Sequence, residues 1–98
     1  MAGYLVASVK WNDVDAASRY YHMVLDSLKP FNGKYLARGT PVATLEGDKA
    51  PPRLAVIEFP TAEHVSRWHR SAEYAPARKV RESFAETYWI VVMEQLTG

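Results

Sequence analysis

The chain has 98 residues, a net charge of +1 and no cysteine, and 48% of its residues are hydrophobic. This length allows one domain, predicted to span residues 1–98, and the hydrophobic content excludes a disordered protein. The lack of cysteine excludes disulfides and thiolate metal sites, and no cluster of Lys and Arg points to nucleic acid.

The N-terminal sequence MAGYLVASVKW has neither the basic start nor the long apolar core of a signal peptide. No apolar run approaches the ~20 residues of a membrane span. We therefore expect a cytoplasmic protein that has no membrane partner.

A strand and a helix are the first two predicted elements. Apolar residues alternate over residues 3–11, which predicts a strand with Leu5 and Trp11 on the same face. Asp13 can cap the following helix, which ends before the turn at Asn32 and Gly33. The buried stripe predicted for this helix consists of Val14, Ala17, Tyr21, Val24, Leu25 and Leu28.

The remaining elements are a strand at 34–39, a projecting loop or hairpin at 40–52, a strand at 53–59, helices at about 62–70 and 74–83, and a strand at 87–96. Ser71 and Pro76 separate the last two helices, because an interior proline loses a backbone hydrogen bond and clashes with the preceding turn. Counting this interrupted stretch as one helical region, the order is βαββαβ. That order predicts an α+β, ferredoxin-like fold with an antiparallel sheet and its helices on one face.

The last strand is apolar on both of its faces. Tyr88, Ile90 and Val92 lie on one side, and Trp89, Val91 and Met93 lie on the other. A single chain has too few helices to cover both faces of such a sheet. We therefore expect a homodimer whose two sheets pack face to face; the alternative is a monomer whose loop 40–52 folds over the sheet.

Three segments, GKYLARG, RLAVIEFP and WHRSAEYAPARKVR, occur in this order along the chain, together with Tyr4 and Asp13. They resemble the family known as domain of unknown function 1330, essentially from end to end. The resemblance implies a ferredoxin-like subunit that pairs into a dimeric α+β barrel. That superfamily also contains cofactor-free monooxygenases of antibiotic pathways, polyketide cyclases and muconolactone isomerases, whose chemistries differ although their scaffold is shared.

Glu58 is the one acidic residue in the otherwise apolar strand RLAVIEF. Period-two alternation places Ile57 and Phe59 in the helix-packed core and Glu58 on the opposite face, inside the expected barrel. Arg38 lies late in the preceding strand and is expected on the same face. The two form either a structural salt bridge at the rim or a catalytic pair, in which Glu58 moves a proton and Arg38 stabilises an oxyanion.

His69 is the third candidate catalytic residue, because an imidazole titrates near neutral pH. The alternative is a surface or half-buried histidine without a role. No two histidines have the i, i+4 spacing of a helical zinc site, so no metal is expected. No glycine-rich phosphate loop and no flavin or nicotinamide fingerprint is present, so no cofactor is expected.

Aromatic residues with polar tips suit a planar ligand, although each of them could equally serve as core packing. The aromatic candidates for substrate binding are Tyr20, Trp68, Tyr74, Tyr88 and Trp89. Arg81 is a further candidate, because with Arg78 and Tyr74 it could form an anion-binding edge; the alternative is a solvated helix face.

Three functions remain open. The first is a cofactor-independent enzyme that acts on an aromatic or polyketide-like metabolite by acid–base chemistry, as a cyclase, isomerase or lyase, with a cofactor-free monooxygenase as a close variant. The others are a non-catalytic binder of a small metabolite and a dimerising module without a ligand.

Overall fold

The computed structural model describes residues 1–98 and has an α+β fold. Its elements are β1 (Gly3–Trp11), α1 (Val14–Leu28), a short 3-10 turn (Lys29–Phe31), β2 (Lys34–Gly39), β3 (Leu54–Phe59), α2 (Ala62–His69), α3 (Ala75–Phe84) and β4 (Ala85–Glu94). The strands form one antiparallel sheet in the order β2-β3-β1-β4. This arrangement confirms the predicted ferredoxin-like fold. None of the helices has the length and hydropathy required to cross a bilayer.

Local side-chain hydrogen bonds fix where the helices begin and end. The carboxylate of Asp13 accepts a hydrogen bond from the backbone N–H of Ala16 at 2.9 Å and so caps α1. The hydroxyl of Ser71 donates to the carbonyl of Trp68 and accepts from the N–H of Tyr74, which closes the turn between α2 and α3. Pro76 lies in the first turn of α3, where its missing N–H needs no partner. The predicted break is therefore confirmed.

The hydrophobic core lies between the helices and one face of the sheet. Its ten members are Leu5, Ala7, Val24, Leu28, Ile57, Phe59, Val65, Trp68, Tyr74 and Ala77. The prediction that Ile57 and Phe59 belong to this core is confirmed. The prediction that Val14 is buried is wrong: it is the first residue of α1, before the buried stripe begins at Ala16 and Ala17, and it is 85% exposed.

A bulge in β2 changes which of its residues face the helices. Tyr35 pairs with Ile57, but Ala37 pairs with Val56, so the extra residue Leu36 shifts the alternation by one position. Arg38, opposite Ala55, therefore lies on the helix side of the sheet. The prediction that Arg38 shares a face with Glu58 is wrong, because it assumed uninterrupted period-two alternation.

The other face of the sheet, which we call the open face, carries three rows of side chains across β3, β1 and β4. The rows are Leu54–Ser8–Trp89, Val56–Val6–Val91 and Glu58–Tyr4–Met93. Val91 is 46% exposed and Met93 is 50% exposed. Loop 40–52 does not cover this face, since Val42 and Leu45 at its tip are almost fully exposed. The open face is thus an uncovered, largely apolar surface.

Candidate functional site

A cavity lies on the helix side of the sheet, beneath α1. Small side chains meet there, with Ala7 and Ala55 on the strands facing Ala17 on α1, and they leave an inner chamber of about 50 Å³. Its walls are largely apolar, and their aromatic members are Trp11, Tyr20, Tyr21, Tyr35, Trp68 and Tyr74. The chamber is therefore a narrow space between mostly apolar side chains.

Tyr20, Tyr74 and Arg81 form a hydrogen-bonded chain that ends at this cavity. The Tyr20 and Tyr74 hydroxyl oxygens are 2.8 Å apart, and Nε of Arg81 donates to the Tyr74 oxygen at 3.2 Å. The guanidinium of Arg81 also donates to the hydroxyl of Thr87. Tyr74 lies with its ring against Trp68, at 4.1 Å between ring centroids, and is fully buried. The network is therefore held rigidly by the core.

Arg81 is only 7% exposed, yet no carboxylate contacts it. A guanidinium stays protonated in proteins, so this is a buried positive charge whose partners are neutral hydroxyls. Since the Tyr74 oxygen accepts from Arg81, we expect the Tyr74 proton to point toward Tyr20. The Tyr20 hydroxyl can then donate a hydrogen bond to an atom in the cavity.

The electrostatics keep Tyr20 in its protonated, donating form. Burial raises the pKa of Tyr20 well above its ordinary value, and the neighbouring Tyr74 raises it further. Burial also raises the pKa of Tyr35, although the positive charge of Arg38 opposes this shift. Tyr20 and Tyr35 are thus hydrogen-bond donors near neutral pH, and these two do not act as phenolate bases.

Two arginines stand at the mouth of the cavity. The guanidinium of Arg38 lies 3.8 Å from the ring centroid of Tyr21, a cation–π contact, and Arg53 immediately precedes β3. Both also line a neighbouring shallow depression of about 210 Å³, so the depression and the cavity share these two residues. No acidic residue lines either space.

His69 lies behind the cavity wall, in contact with Tyr74. Its ring centroid is 5.7 Å from that of Tyr74, and Nη2 of Arg78 is 3.4 Å from its Nδ1. Nε of Arg78 is buried without a hydrogen-bond partner. Burial lowers the pKa of His69, and the charges of Arg78 and Arg81 lower it further. The imidazole is therefore neutral at pH 7.

Replacing Arg78 with glutamine should raise the pKa of His69, because it removes the nearer of the two cations that disfavour the imidazolium. In the wild-type chain we expect His69 to titrate below its usual value of about 6.5. The stability of the fold should therefore be unaffected by this histidine above about pH 6.5 and should fall as the pH drops below that value, because the unfolded chain takes up the proton first. An NMR titration of the His69 ring protons measures this pKa in the wild-type chain and in the variant. Equal pKa values in the two chains would show that Arg78 exerts no such effect.

Glu58 lies on the open face, away from the cavity. Its carboxylate is 3.4 Å from Nζ of Lys34 and accepts a hydrogen bond from the Tyr4 hydroxyl at 3.2 Å. Burial raises the pKa of Tyr4, and Glu58 adds to this effect. The expected Arg38–Glu58 pair does not form, because the β2 bulge places the two residues on opposite faces; Lys34 takes the place of the arginine.

The predicted site residues are thus distributed over three places. Tyr20, Trp68, Tyr74 and Arg81 come together at the cavity, and Arg38 stands at its mouth. His69 contacts the rear of Tyr74 and lines a different crevice, between α2 and β4. On β4, Trp89 belongs to the open face, and Tyr88 sits at a bulge without a partner in β1. Neither Tyr88 nor Trp89 lines the cavity.

Sequence reasoning missed four residues that line the cavity: Trp11, Tyr21, Tyr35 and Arg53. Trp11 could have been found, because alternation along β1 already placed it on the same face as Leu5. Arg53 gave no such signal, since it precedes the strand and its position depends on how loop 40–52 returns to the sheet. No group of three or more His, Asp or Glu side chains lies close enough together to hold a metal ion.

Comparisons with known proteins agree with this fold. A family model described as a domain of unknown function, DUF1330, matches residues 2–95. No curated protein matches the chain. Among solved structures, the chain is similar to a protein of unknown function from Rhodopseudomonas palustris, at a TM-score of 0.77 and 17% identity, covering 99% of this chain and 84% of that one.

Two further structures share the fold. A protein from Jannaschia described as dimeric, ferredoxin-like and of unknown function has a TM-score of 0.67 at 12% identity, covering 97% of this chain and 100% of that one. SnoaB from Streptomyces nogalater, described as a cofactor-independent oxygenase, has a TM-score of 0.60 at 8% identity, covering 99% of this chain and 95% of that one. At these identities the comparisons show the fold alone.

Proposed function

The chain belongs to the DUF1330 family, and we propose that it is a cofactor-independent enzyme that acts on an aromatic or polyketide-like molecule by acid–base chemistry. The reaction is of the cyclase, isomerase or lyase type. One observation carries this proposal: a buried guanidinium, that of Arg81, has only hydroxyl partners and polarises a chain of donors toward an apolar cavity. Such an arrangement suits an oxygen atom that becomes negative during a reaction.

In this proposal the ligand enters as a flat ring with a phenol or enol oxygen next to Tyr20. Removal of a proton from such a molecule places negative charge on that oxygen. The Tyr20 hydroxyl stabilises this charge by donating a hydrogen bond to the oxygen, and Arg81 strengthens that hydrogen bond through Tyr74. Because His69 contacts the rear of Tyr74 and does not line the cavity, the proton removed from the ligand passes to water at the mouth and not directly to His69.

Glu58 keeps its proposed catalytic role only if a ligand also reaches the space between the open faces of two paired subunits. There its carboxylate would keep its contacts with the Tyr4 hydroxyl and with Nζ of Lys34. The helix-side cavity has more of the expected features, since it combines flat apolar walls with a polarised donor. We therefore assign the chemistry to that cavity.

Binding is tested by NMR with para-ethylphenol as the probe. The chain has three tryptophans, of which Trp11 and Trp68 line the cavity and Trp89 lies on the open face. We expect the indole N–H signals of Trp11 and Trp68 to shift on addition of the phenol, while the signal of Trp89 stays in place. A probe that moves only Trp89, or none of the three, would contradict the assignment of the cavity.

Replacing Tyr20 with phenylalanine should weaken binding of this phenol about fivefold, because one neutral hydrogen bond contributes roughly 1 kcal/mol. Tyr21→Phe is the matched control, since Tyr21 also lines the cavity but its hydroxyl makes no hydrogen bond within the chain. We expect the control to bind as the wild-type chain does. Equal losses in the two variants would mean that the Tyr20 hydroxyl has no special role.

Two alternatives use the same cavity. A non-catalytic binder would show the same NMR shifts but would not speed the exchange of carbon-bound protons of an enolisable aromatic ketone with deuterated water. A cofactor-free monooxygenase would consume oxygen together with a substrate that forms an electron-rich anion, which the same network would stabilise. The similarity in fold to SnoaB is the observation that favours this variant.

We also propose that the protein is a homodimer, formed by two open faces packed together. The face exposes Trp89, Val91 and Met93, and a monomer rarely leaves such a patch in water. The Jannaschia protein of the same fold is described as dimeric.

A further inference from the structure

The mouth of the cavity carries two positive charges that nothing in the chain neutralises. Arg38 and Arg53 both line it, and neither forms an ion pair. Like charges placed next to each other repel, and an apolar cavity alone does not need them. Two unpaired guanidiniums at the entrance of a ligand cavity are instead typical of a site that receives an anion.

Both arginines are anchored by the fold. Arg38 is held by its stacking contact with Tyr21, 3.8 Å from the ring centroid. The backbone of Arg53 is tied to β1, because its carbonyl accepts a hydrogen bond from the N–H of Val9. In the β2–β3 ladder Arg38 pairs with Ala55 and Gly39 pairs with Leu54, which places Arg38 and Arg53 diagonally across the two strands.

The depression next to these arginines adds one more donor. It is lined by Arg38, Gly39, Thr40 and Arg53, so the Thr40 hydroxyl joins the two guanidiniums around a space of about 210 Å³. This space lies outside the narrow chamber. Tyr20 and Tyr74 line the chamber itself, and Arg81 lies behind Tyr74. A molecule that reaches both places has a flat inner end and a negatively charged outer end.

We propose that the natural ligand is an aromatic or enolisable carboxylic acid, whose carboxylate binds Arg38, Arg53 and Thr40 at the mouth while its phenol or enol oxygen faces Tyr20. This inference rests on the proposed function, because it specifies the ligand of the same cavity. A carboxylate matches the planar fork of a guanidinium. A phosphate fits less well, because the four residues around the depression include no helix N-terminus of the kind that phosphate sites use.

Three probes with the same phenol head test this assignment by NMR titration at low salt. They are para-ethylphenol, para-hydroxyphenylpropanoate and para-hydroxyphenethyl phosphate, and the Trp11 and Trp68 indole signals report binding in the cavity. We expect the propanoate to bind about tenfold more tightly than the ethylphenol, as charge-assisted hydrogen bonds imply. Added salt should reduce this advantage, because the mouth is open to solvent.

Arg38→Gln and Arg53→Gln should each remove most of the roughly tenfold advantage in affinity that the propanoate has over ethylphenol. The matched control is Arg67→Gln, which removes the same charge from the exposed side of α2, where Arg67 pairs with Glu63. This control should keep the full preference for the propanoate.

Each remaining outcome contradicts a different statement. Equal affinity for ethylphenol and the propanoate, or a preference that survives in both mouth variants, overturns the carboxylate site and leaves the cavity assignment standing. Tighter binding of the phosphate than of the propanoate overturns the choice of a carboxylate. If none of the three probes shifts Trp11 or Trp68, the proposed function itself fails, and the ligand class fails with it.

Discussion

Val91→Lys should separate the protein into single subunits at concentrations where the wild-type chain is a dimer. Val91 lies in the row Val56–Val6–Val91 of the open face and is 46% exposed in the single chain. If two open faces pack together, the substitution introduces one lysine from each subunit into the same apolar layer. Burying a charged group costs several kcal/mol, so we expect the dissociation constant to rise at least about a thousandfold.

Sedimentation equilibrium measures this constant, and Val42→Lys is its control. Val42 lies at the tip of loop 40–52 and is fully exposed, so the same change of residue there should leave the dimer intact. The dimer proposal fails if the wild-type chain sediments as a single subunit at micromolar concentration. It also fails if the Val91 variant remains as dimeric as the control.

Arg81→Met should reduce the affinity for a phenolate by about 10- to 100-fold and leave the stability of the fold nearly unchanged. The guanidinium is buried without a carboxylate, so no ion pair offsets the free-energy cost of removing its charge from water. Methionine fills a similar volume with apolar atoms, and the Tyr74 hydroxyl keeps its bond to Tyr20. Phenolate binding loses the charge that polarises its hydrogen-bond donors, and a hydrogen bond that involves a charged group contributes roughly 1.5–3 kcal/mol to the free energy of binding.

Urea denaturation and ligand titration together separate these two effects. We expect the free energy of unfolding to change by less than about 1 kcal/mol, the range of a tolerated core substitution. The control Arg67→Met, on the surface of α2, should alter neither quantity. If Arg81→Met unfolded the chain and Arg67→Met did not, Arg81 would be a structural residue and the proposed oxyanion role would lose its support.

The sequence predicted the elements of this fold well, because alternation and capping are local. Asp13 and Ser71 cap and close helices through bonds to backbone atoms within three residues, so their positions can be read without a structure. The apolar character of β4 on both faces likewise predicted the uncovered open face. The exposed Val91 and Met93 on that face confirm that reading.

The geometry of the site was harder to predict, because it depends on single-residue shifts and on space between distant segments. One extra residue, Leu36, moves Arg38 to the other face of the sheet, and KYLARG shows the same alternation with or without that bulge. The cavity arises where three alanines from β1, β3 and α1 meet, which no local pattern reveals. We therefore expected a pocket between two sheets, whereas the cavity that the chain forms lies between the sheet and α1.

The central claim is that the buried Arg81, acting through Tyr74 and Tyr20, stabilises a negatively charged oxygen in the helix-side cavity. A para-nitrophenol probe tests it directly, because its ionised form is yellow and its pKa can be read from absorbance while it is bound. We predict that the bound probe has a lower pKa than the same probe in water, and that Arg81→Met abolishes this decrease. A bound pKa that is unchanged or raised, or a decrease that persists in the Arg81 variant, would contradict the claim.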